Sequence, residues 1–339
     1  MSIKIAIDAM GGDYGPAITV PAAIKAVEEI PELSLILVGD KTLLSKKLAK
    51  RKYDQERLSI CHASEVVAMD ESPASALRYK KDSSMRVAIN LVKEKKASAC
   101  ISAGNTGALM ATARFVLKTV PGIDRPAIST TLPTRLLNRD ARILDLGANV
   151  DSTSQQLFQF ALMGSILAEA VDNVKNPSVG LLNIGKEDIK GNELVKQAAQ
   201  LLQASKHINY QGYVEANAIF KPEVDVIVCD GFVGNIALKT SEGTAKLIAE
   251  FLLNAFKRNF LTKLVGLIAY PVLRNFKSRI NPARYNGASL VGLNGIVVKS
   301  HGHARHQAYL NAIKHAVTQV RQNIPQQLAE KVQKLLEEN

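Results

Sequence analysis

The 339-residue chain has no tryptophan and only 5% aromatic residues. That leaves no stacking platform for single-stranded nucleic acid, so nucleic acid is not expected as a partner. Cysteine is scarce too. Cys61, Cys100 and Cys229 lie in strand-like apolar runs, and an odd count in such places points to reduced thiols in a cytoplasmic protein. Cys229 could be a nucleophile, but a small buried core residue is the simpler reading. No apolar run reaches the roughly 18 residues of a spanning helix. The opening "MSIKIAIDAM" has no apolar h-region, so no secretion signal is expected.

One sign of charge is missing from a long segment. From Phe251 to Ala329 there is no Asp or Glu, while eleven Lys or Arg carry nearly all of the net charge of +12. The plain explanation is a solvated basic face. The sharper ones are an anionic membrane, an acidic protein or, against the missing aromatic platform, nucleic acid. Nucleotide motifs are missing as well: there is no G-x-x-x-x-G-K-[ST] and no clean G-x-G-x-x-G. The cluster "HGHARH" (His301, His303, His306) has no carboxylate beside it in a basic run. It suits helix-start and phosphate-facing roles better than zinc, and no metal is expected. No Ser-His-Asp set declares itself.

What is present is alternation. "IKIAIDA", "LSLILVG", "LSICHA" and "SACISA" read as strands, separated by helices over 16–29, 40–52 and 83–96 and followed by one from Asn105 to about Leu117. "ARILDLG", "SVGLLNI" and "VDVIVCDG" continue the series, with helices over 153–171, 190–204 and 233–256. "SLVGLNGIVVKS" and a helix over 303–320 close it. Continuous apolar strands alternating with helices predict an α/β fold with a mostly parallel sheet covered on both faces. "TVPGIDRPA" breaks both periodicities and marks a lobe boundary. The expected lobes are 1–125 with 290–339, and 126–289.

In such sheets ligands bind at the carboxyl ends of strands. Those ends are "DAMGGDYG", "SAGNTGA", "LDLGANVD", "LNIGKEDIKGNE", "CDGFVGN" and "NGASLVG". Five of the six hold a Gly close to an Asn, and four hold an Asp. Gly lets backbone approach a ligand, as at Gly11 and Gly12, and Asn supplies donors and an acceptor. Ser102, Gly104, Asn105 and Thr106 fall where a strand ends and a helix begins, which suits a phosphate; an ordinary helix cap fits equally well. Lys186 and Lys190 bring cations to another strand end, although Glu187 and Asp188 also suit a solvated helix start.

Taken in order, "IAIDAMGGDYGP", "SAGNTGALM", "LDLGANVD", "NIGKEDIKGNE", "CDGFVGNIALKTSEG" and "NGASLVGLNGIVVKSHG" closely resemble the bacterial phosphate acyltransferases of phospholipid synthesis, from about Ile3 to Val320. The resemblance implies a two-lobed homodimer with the fold of phosphotransacetylases and isopropylmalate-type dehydrogenases. It implies transfer of an acyl group from acyl carrier protein to inorganic phosphate, without cofactor, at the inner face of the cell membrane. By motif position it makes Lys190 and Asn235 the leading catalytic residues. Asp230, Asn183, Asp145 and Asn149 follow as candidates, with Asp8 and Asp13 orienting lysines or loop N–H groups, taking a phosphate proton, or simply shaping the turn. Where the family has "GGAPLLG" this chain has "NGASLVG", which is expected to alter loop packing rather than activity. A coenzyme-A-dependent acyltransferase and a non-catalytic carrier-protein or membrane adaptor are the other readings.

The basic segment over 251–285 is amphipathic. At 100° per residue Phe256, Phe260, Leu264 and Leu267 share a face, and after Pro271 so do Leu273, Phe276 and Ile280, with Arg274, Lys277, Arg279 and Arg284 around them. Apolar stripe and basic face together predict a helix lying in a membrane interface; a core or dimer-interface helix pair is the alternative.

Overall fold

The computed structural model describes residues 2–136, 139–280 and 285–337, and not the side chains of 277–280. Lys277, Arg279, Ile280 and Arg284, named above for the basic stripe, therefore lie outside the described side chains. The sequence forms β1 (Ile3–Asp8), α1 (Pro16–Glu29), β2 (Leu33–Gly39), α2 (Lys41–Leu48), β3 (Leu58–His62), α3 (Pro73–Tyr79), α4 (Ser84–Lys93), β4 (Ala99–Ser102) and α5 (Thr106–Leu117). The second series is β5 (Ala127–Pro133), β6 (Asp140–Leu144), α6 (Ser154–Val171), β7 (Ser178–Asn183), α7 (Glu193–Ala204), β8 (Asn209–Glu215), β9 (Val226–Val228) and α8 (Gly231–Lys257). Then come α9 (Phe260–Ile268), α10 (Tyr270–Ile280), β10 (Ala288–Val291), β11 (Ile296–Lys299), α11 (His306–Arg321) and α12 (Ile324–Glu337).

Among the described residues eleven strands make one sheet in the order β3-β2-β1-β4-β11-β10-β5-β6-β9-β7-β8. It is parallel on both sides and antiparallel in the middle, where β10 pairs with β11 and β5, and β5 with β6. The expected mostly parallel, doubly covered α/β sheet is thus what forms. "SLVGLNGIVVKS", read as one segment, is a hairpin, β10 and β11. "AISTTLP" and "NYQGYVE" add β5 and β8, which the reading above lacks.

Local signals agree with these elements. Pro16 opens α1 where a missing N–H does no harm. Thr153 and Gln156 close a reciprocal capping box on α6. Helices α1 and α11 bury their apolar faces against β1, β2 and β4, α4 and α5 cover the other face, and α6, α7 and α12 enclose β7 and β9. An ion pair between a buried arginine and a surface carboxylate locks β6 to the end of α6: Arg142 donates to both carboxylate oxygens of Asp172 at 2.9 and 2.8 Å.

Helices α8, α9 and α10 depart from this economy. In the 27 residues of α8 only Gly231 and Gly234 are buried, and α9 buries none. Among the described residues no helix is long and apolar enough to cross a membrane.

Candidate active site

The loops after β1 and β4 meet around a buried carboxylate. Asp8 accepts from the Gly11 N–H at 3.1 Å and the Ser84 hydroxyl at 2.6 Å through Oδ1, and from the Ser102 hydroxyl at 2.6 Å through Oδ2. Ser102 in turn accepts from the Gly104 N–H at 3.0 Å. Burial raises the Asp8 pKa and the two serines oppose the shift. Asp8 therefore holds the Gly11 N–H and the two serine hydroxyls at the base of the loop. The Asp13 N–H, on the exposed flank, donates to the Gly302 carbonyl at 2.9 Å. Asn105 caps α5 through the Ala108 N–H and donates to the carbonyls of Met69 and Glu71. Its side chain is thus taken up by structure, while Thr106 beside it lines the large cleft described below.

A second carboxylate organises the loops after β6 and β9. Asp145 accepts from the N–H groups of Ile128, Ala148 and Asn149 at 2.8, 3.0 and 2.7 Å, and from the Asn149 amide at 2.9 Å. Burial raises its pKa against these donors. Asp230 caps α8 through the Val233 N–H at 2.9 Å, and the Gly231 N–H reaches the Asn149 carbonyl. These bonds fix the start of α8, and hence Asn235, against the Asp145 loop. The Asn235 side chain lies directly over Gly147. Cys229 sits behind them; burial first and Asp145 second push its thiol well above the usual value, so it is not a thiolate nucleophile.

After β7, Asn183 donates to the Lys190 carbonyl at 3.2 Å and accepts from the Ile184 N–H at 2.9 Å, shaping the loop that carries Lys190. Lys190 itself is exposed. Lys186 pairs with Glu223 at 2.9 Å on the surface.

A cleft of about 1000 Å³ joins several of these parts. Its walls include Asn235 and Gly147 from one half, Thr106, Lys299, His301 and His303 from the other, and apolar side chains of β5 and α8 between them. Lys299 is the residue that motif reading missed. Its ammonium donates to the carbonyls of Ala103 and Ser300. Burial lowers its pKa from 10.5 to about 8, opposed by Asp8 and Asp13. The signal was a lone Lys ending the buried strand "IVVK". His301 faces Glu242 of α8 at 3.5 Å and stacks obliquely near His303; burial lowers its pKa. Asn286, where the family motif has Gly, is buried and accepts from the His301 N–H at 2.9 Å. Ser289, in place of the motif's Pro, bonds His315 and Gln319 of α11 at 2.8 and 2.9 Å. The departures thus tie their loop to α11 and the His301 segment.

The architecture is that of the phosphotransacetylases. A phosphotransacetylase from Streptococcus pyogenes superposes with a TM-score of 0.62 at 19% identity, covering 94% of both chains. A 4-hydroxythreonine-4-phosphate dehydrogenase from Klebsiella pneumoniae gives 0.52 at 15% identity, over 94% of this chain and 98% of the other. Within that fold, residues 3–327 match the family model described as "Fatty acid synthesis protein", and the chain belongs to this family. Proteins named phosphate acyltransferase share 57% identity in Nitrosococcus oceani, over 100% of this chain and 99% of the relative, and 55% in Hydrogenovibrio crunogenus, over 99% of each.

Proposed function

We propose that the protein transfers a fatty acyl group from the thioester of acyl carrier protein to inorganic phosphate, giving acyl phosphate and free carrier thiol. The observation that carries this reading is the cleft: cations and an amide share one cavity with a long apolar wall. A phosphate oxygen attacks the thioester carbonyl, a tetrahedral oxyanion forms, and the thiolate leaves with little need of acid help. Catalysis is then positioning and electrostatics. Asn235 donates its amide to the carbonyl oxygen as charge develops there and Lys299 draws the anion into the cleft, while Lys190, which stands on the exposed β7 loop and does not itself line the cleft, is given the role of neutralising phosphate or oxyanion. Neither nucleotide nor metal is assigned a role. The halves 1–125 with 290–339, and 126–289, act as the two lobes that meet at this cleft.

Carrier proteins are acidic, and the acid-free segment 251–329 offers the complementary charge. To test the donor, the purified protein is given the same acyl group on carrier protein and on coenzyme A. Higher kcat/KM with the carrier protein supports the reading; equal or better use of coenzyme A replaces the donor; no turnover of either supports an adaptor.

Phosphate affinity follows Lys299. The lysine is charged below about pH 8 and neutral above it. KM for phosphate therefore rises as pH climbs through about 8, and Lys299→Met removes that rise while raising KM at neutral pH. Initial rates over a pH series check it; an unchanged pH profile in the variant removes Lys299 from the phosphate site. Stability runs opposite to phosphate affinity: burial of the charge weighs against the fold below about pH 8 and is relieved as pH rises toward 10.5.

Helices α9 and α10 support peripheral membrane binding at the cytoplasmic face. Phe260, Leu264 and Leu267 are exposed, and so are Leu261, Val265 and Ile268 between them. Phe276 is exposed as well, whereas Phe256 and Leu273 are only partly so; Phe256 lies against Gly266. Each basic residue near an anionic surface contributes about 1 kcal/mol, and a large apolar side chain roughly 1.5–3 kcal/mol when fully buried. Leu267→Asp should release the protein from anionic vesicles in flotation while soluble turnover persists. A variant that still floats shows that this face is not the anchor. One that loses its oligomeric state shows that this face belongs to a dimer interface instead.

A further inference from the structure

The cleft has a shape that the reaction alone does not demand. Phosphate, a carbonyl and a leaving sulfur occupy little room, yet the cavity is about 1000 Å³, at the upper end of small-molecule sites. The excess volume has a direction. Along α8 the lining includes Asn235, Leu238, Glu242, Ala245 and Ile248, whose spacing keeps them on one helix face, flanked by the polar residues 239–241 and Thr244. Thirteen residues of helix separate the first from the last, which is about 20 Å. Across from them Ile128, Thr130 and Leu132 of β5, with Thr131 and Pro133 at the end of that strand, line the same cavity. At the far end Phe276 of α10 joins the wall. Ile248 and Phe276 are 49% and 39% exposed, so the cleft reaches the surface where these residues of α8 and α10 stand.

We propose that this channel between α8 and β5 holds a long acyl chain. Its carbonyl lies at Asn235 and its methyl end at Ile248 and Phe276, toward the exposed apolar side chains of α9 and α10. The inference rests on the acyl-transfer reading and adds to it a location, a direction and a length filter. Long chains fill the wall from Leu238 to Ile248; short chains leave the outer part empty and gain nothing from it. The outer opening also lets the acyl phosphate slide out chain-first onto the surface that α9 and α10 face, without its chain crossing water.

Photolabelling of the unaltered protein tests the location. The probe is a hexadecanoyl thioester with a diazirine near its methyl end, mapped by mass spectrometry of peptides. Label on the α8 segment around Ala245–Ile248 or on Phe276 is expected, and label confined to any other surface overturns the proposal. Ala245→Trp tests the filter by filling the middle of the channel. One methylene in an apolar pocket is worth roughly tenfold or more in discrimination. The ratio of kcat/KM for a sixteen-carbon over a six-carbon thioester should therefore fall on the order of 100-fold; an unchanged ratio overturns the filter. Failure of the parent reading looks different: no thioester of any length then gives phosphate-dependent turnover, while the label still reports whether a chain lies along α8.

Discussion

Asn235→Ala lowers kcat by about 10²–10³ and leaves the melting temperature nearly unchanged. The expectation starts from placement. Asp145 gathers the N–H groups of Ile128, Ala148 and Asn149, Asn149 anchors Gly231, and Asp230 caps the helix that follows. Asn235 is thereby held over Gly147, with its amide at the cleft wall. A donor held this way reorganises little as the oxyanion forms, and loss of one such donor typically costs about 10²–10³ in rate. The residue is only half-buried, so truncation removes little packing. Lys190→Ala should lower kcat as strongly, because the exposed side chain stands on a loop that Asn183 shapes by its bond to the Lys190 carbonyl. Steady-state rates with a thermal melt alongside decide both; near-wild-type turnover of a folded variant withdraws that residue's role.

Gly234→Ala is expected to impair both fold and reaction. A Cβ built there lies 1.9 Å from the Asp145 carbonyl oxygen and 3.0 Å from its carbon. The obstacle is backbone, which cannot rotate away, so either the first turn of α8 or the Asp145 loop must move. Overpacking of this kind typically destabilises by about 1–3 kcal/mol. The adjacent residue is Asn235, and a displacement of about 1 Å in a positioned group can lower the rate roughly 10²-fold. The variant should therefore melt earlier and turn over slowly even where it is fully folded. Gly243, farther along the same helix with nothing within 4 Å of its would-be Cβ, is the control: Gly243→Ala should match the parent in rate. Equal behaviour of the two variants would show that close approach at Gly234 does not position Asn235.

The parts of the fold that could be read in advance are those whose physics is local. β4, β7 and β9 are buried along nearly their whole length and appear as apolar runs; β1, β2 and β6 are mostly so, interrupted by Lys4, Ser34 and Arg142. β5 escaped because "AISTTLP" carries two threonines that face sheet neighbours and cleft. β8 escaped because it lies at the sheet edge, where "NYQGYVE" needs little apolar character. α12 is amphipathic but short of apolar residues, and its partner α6 is remote in sequence. The same division holds at the site. Gly–Asn turns at strand ends announce where the loops gather. They do not say which side chains remain available: Asn105 and Asn149 are taken up by backbone partners, and Lys186 by Glu223. Lys299 was hidden for the opposite reason, since its place in the cleft depends on β11 lying between β4 and β10.

The measurement closest to the central claim is phosphorus NMR of the purified protein with a long-chain acyl-carrier-protein thioester and inorganic phosphate, in excess chelator. The account predicts an acyl phosphate resonance that grows in step with free carrier thiol and vanishes when phosphate is omitted. Release of free fatty acid at the same rate with and without phosphate, and no acyl phosphate signal, would contradict it.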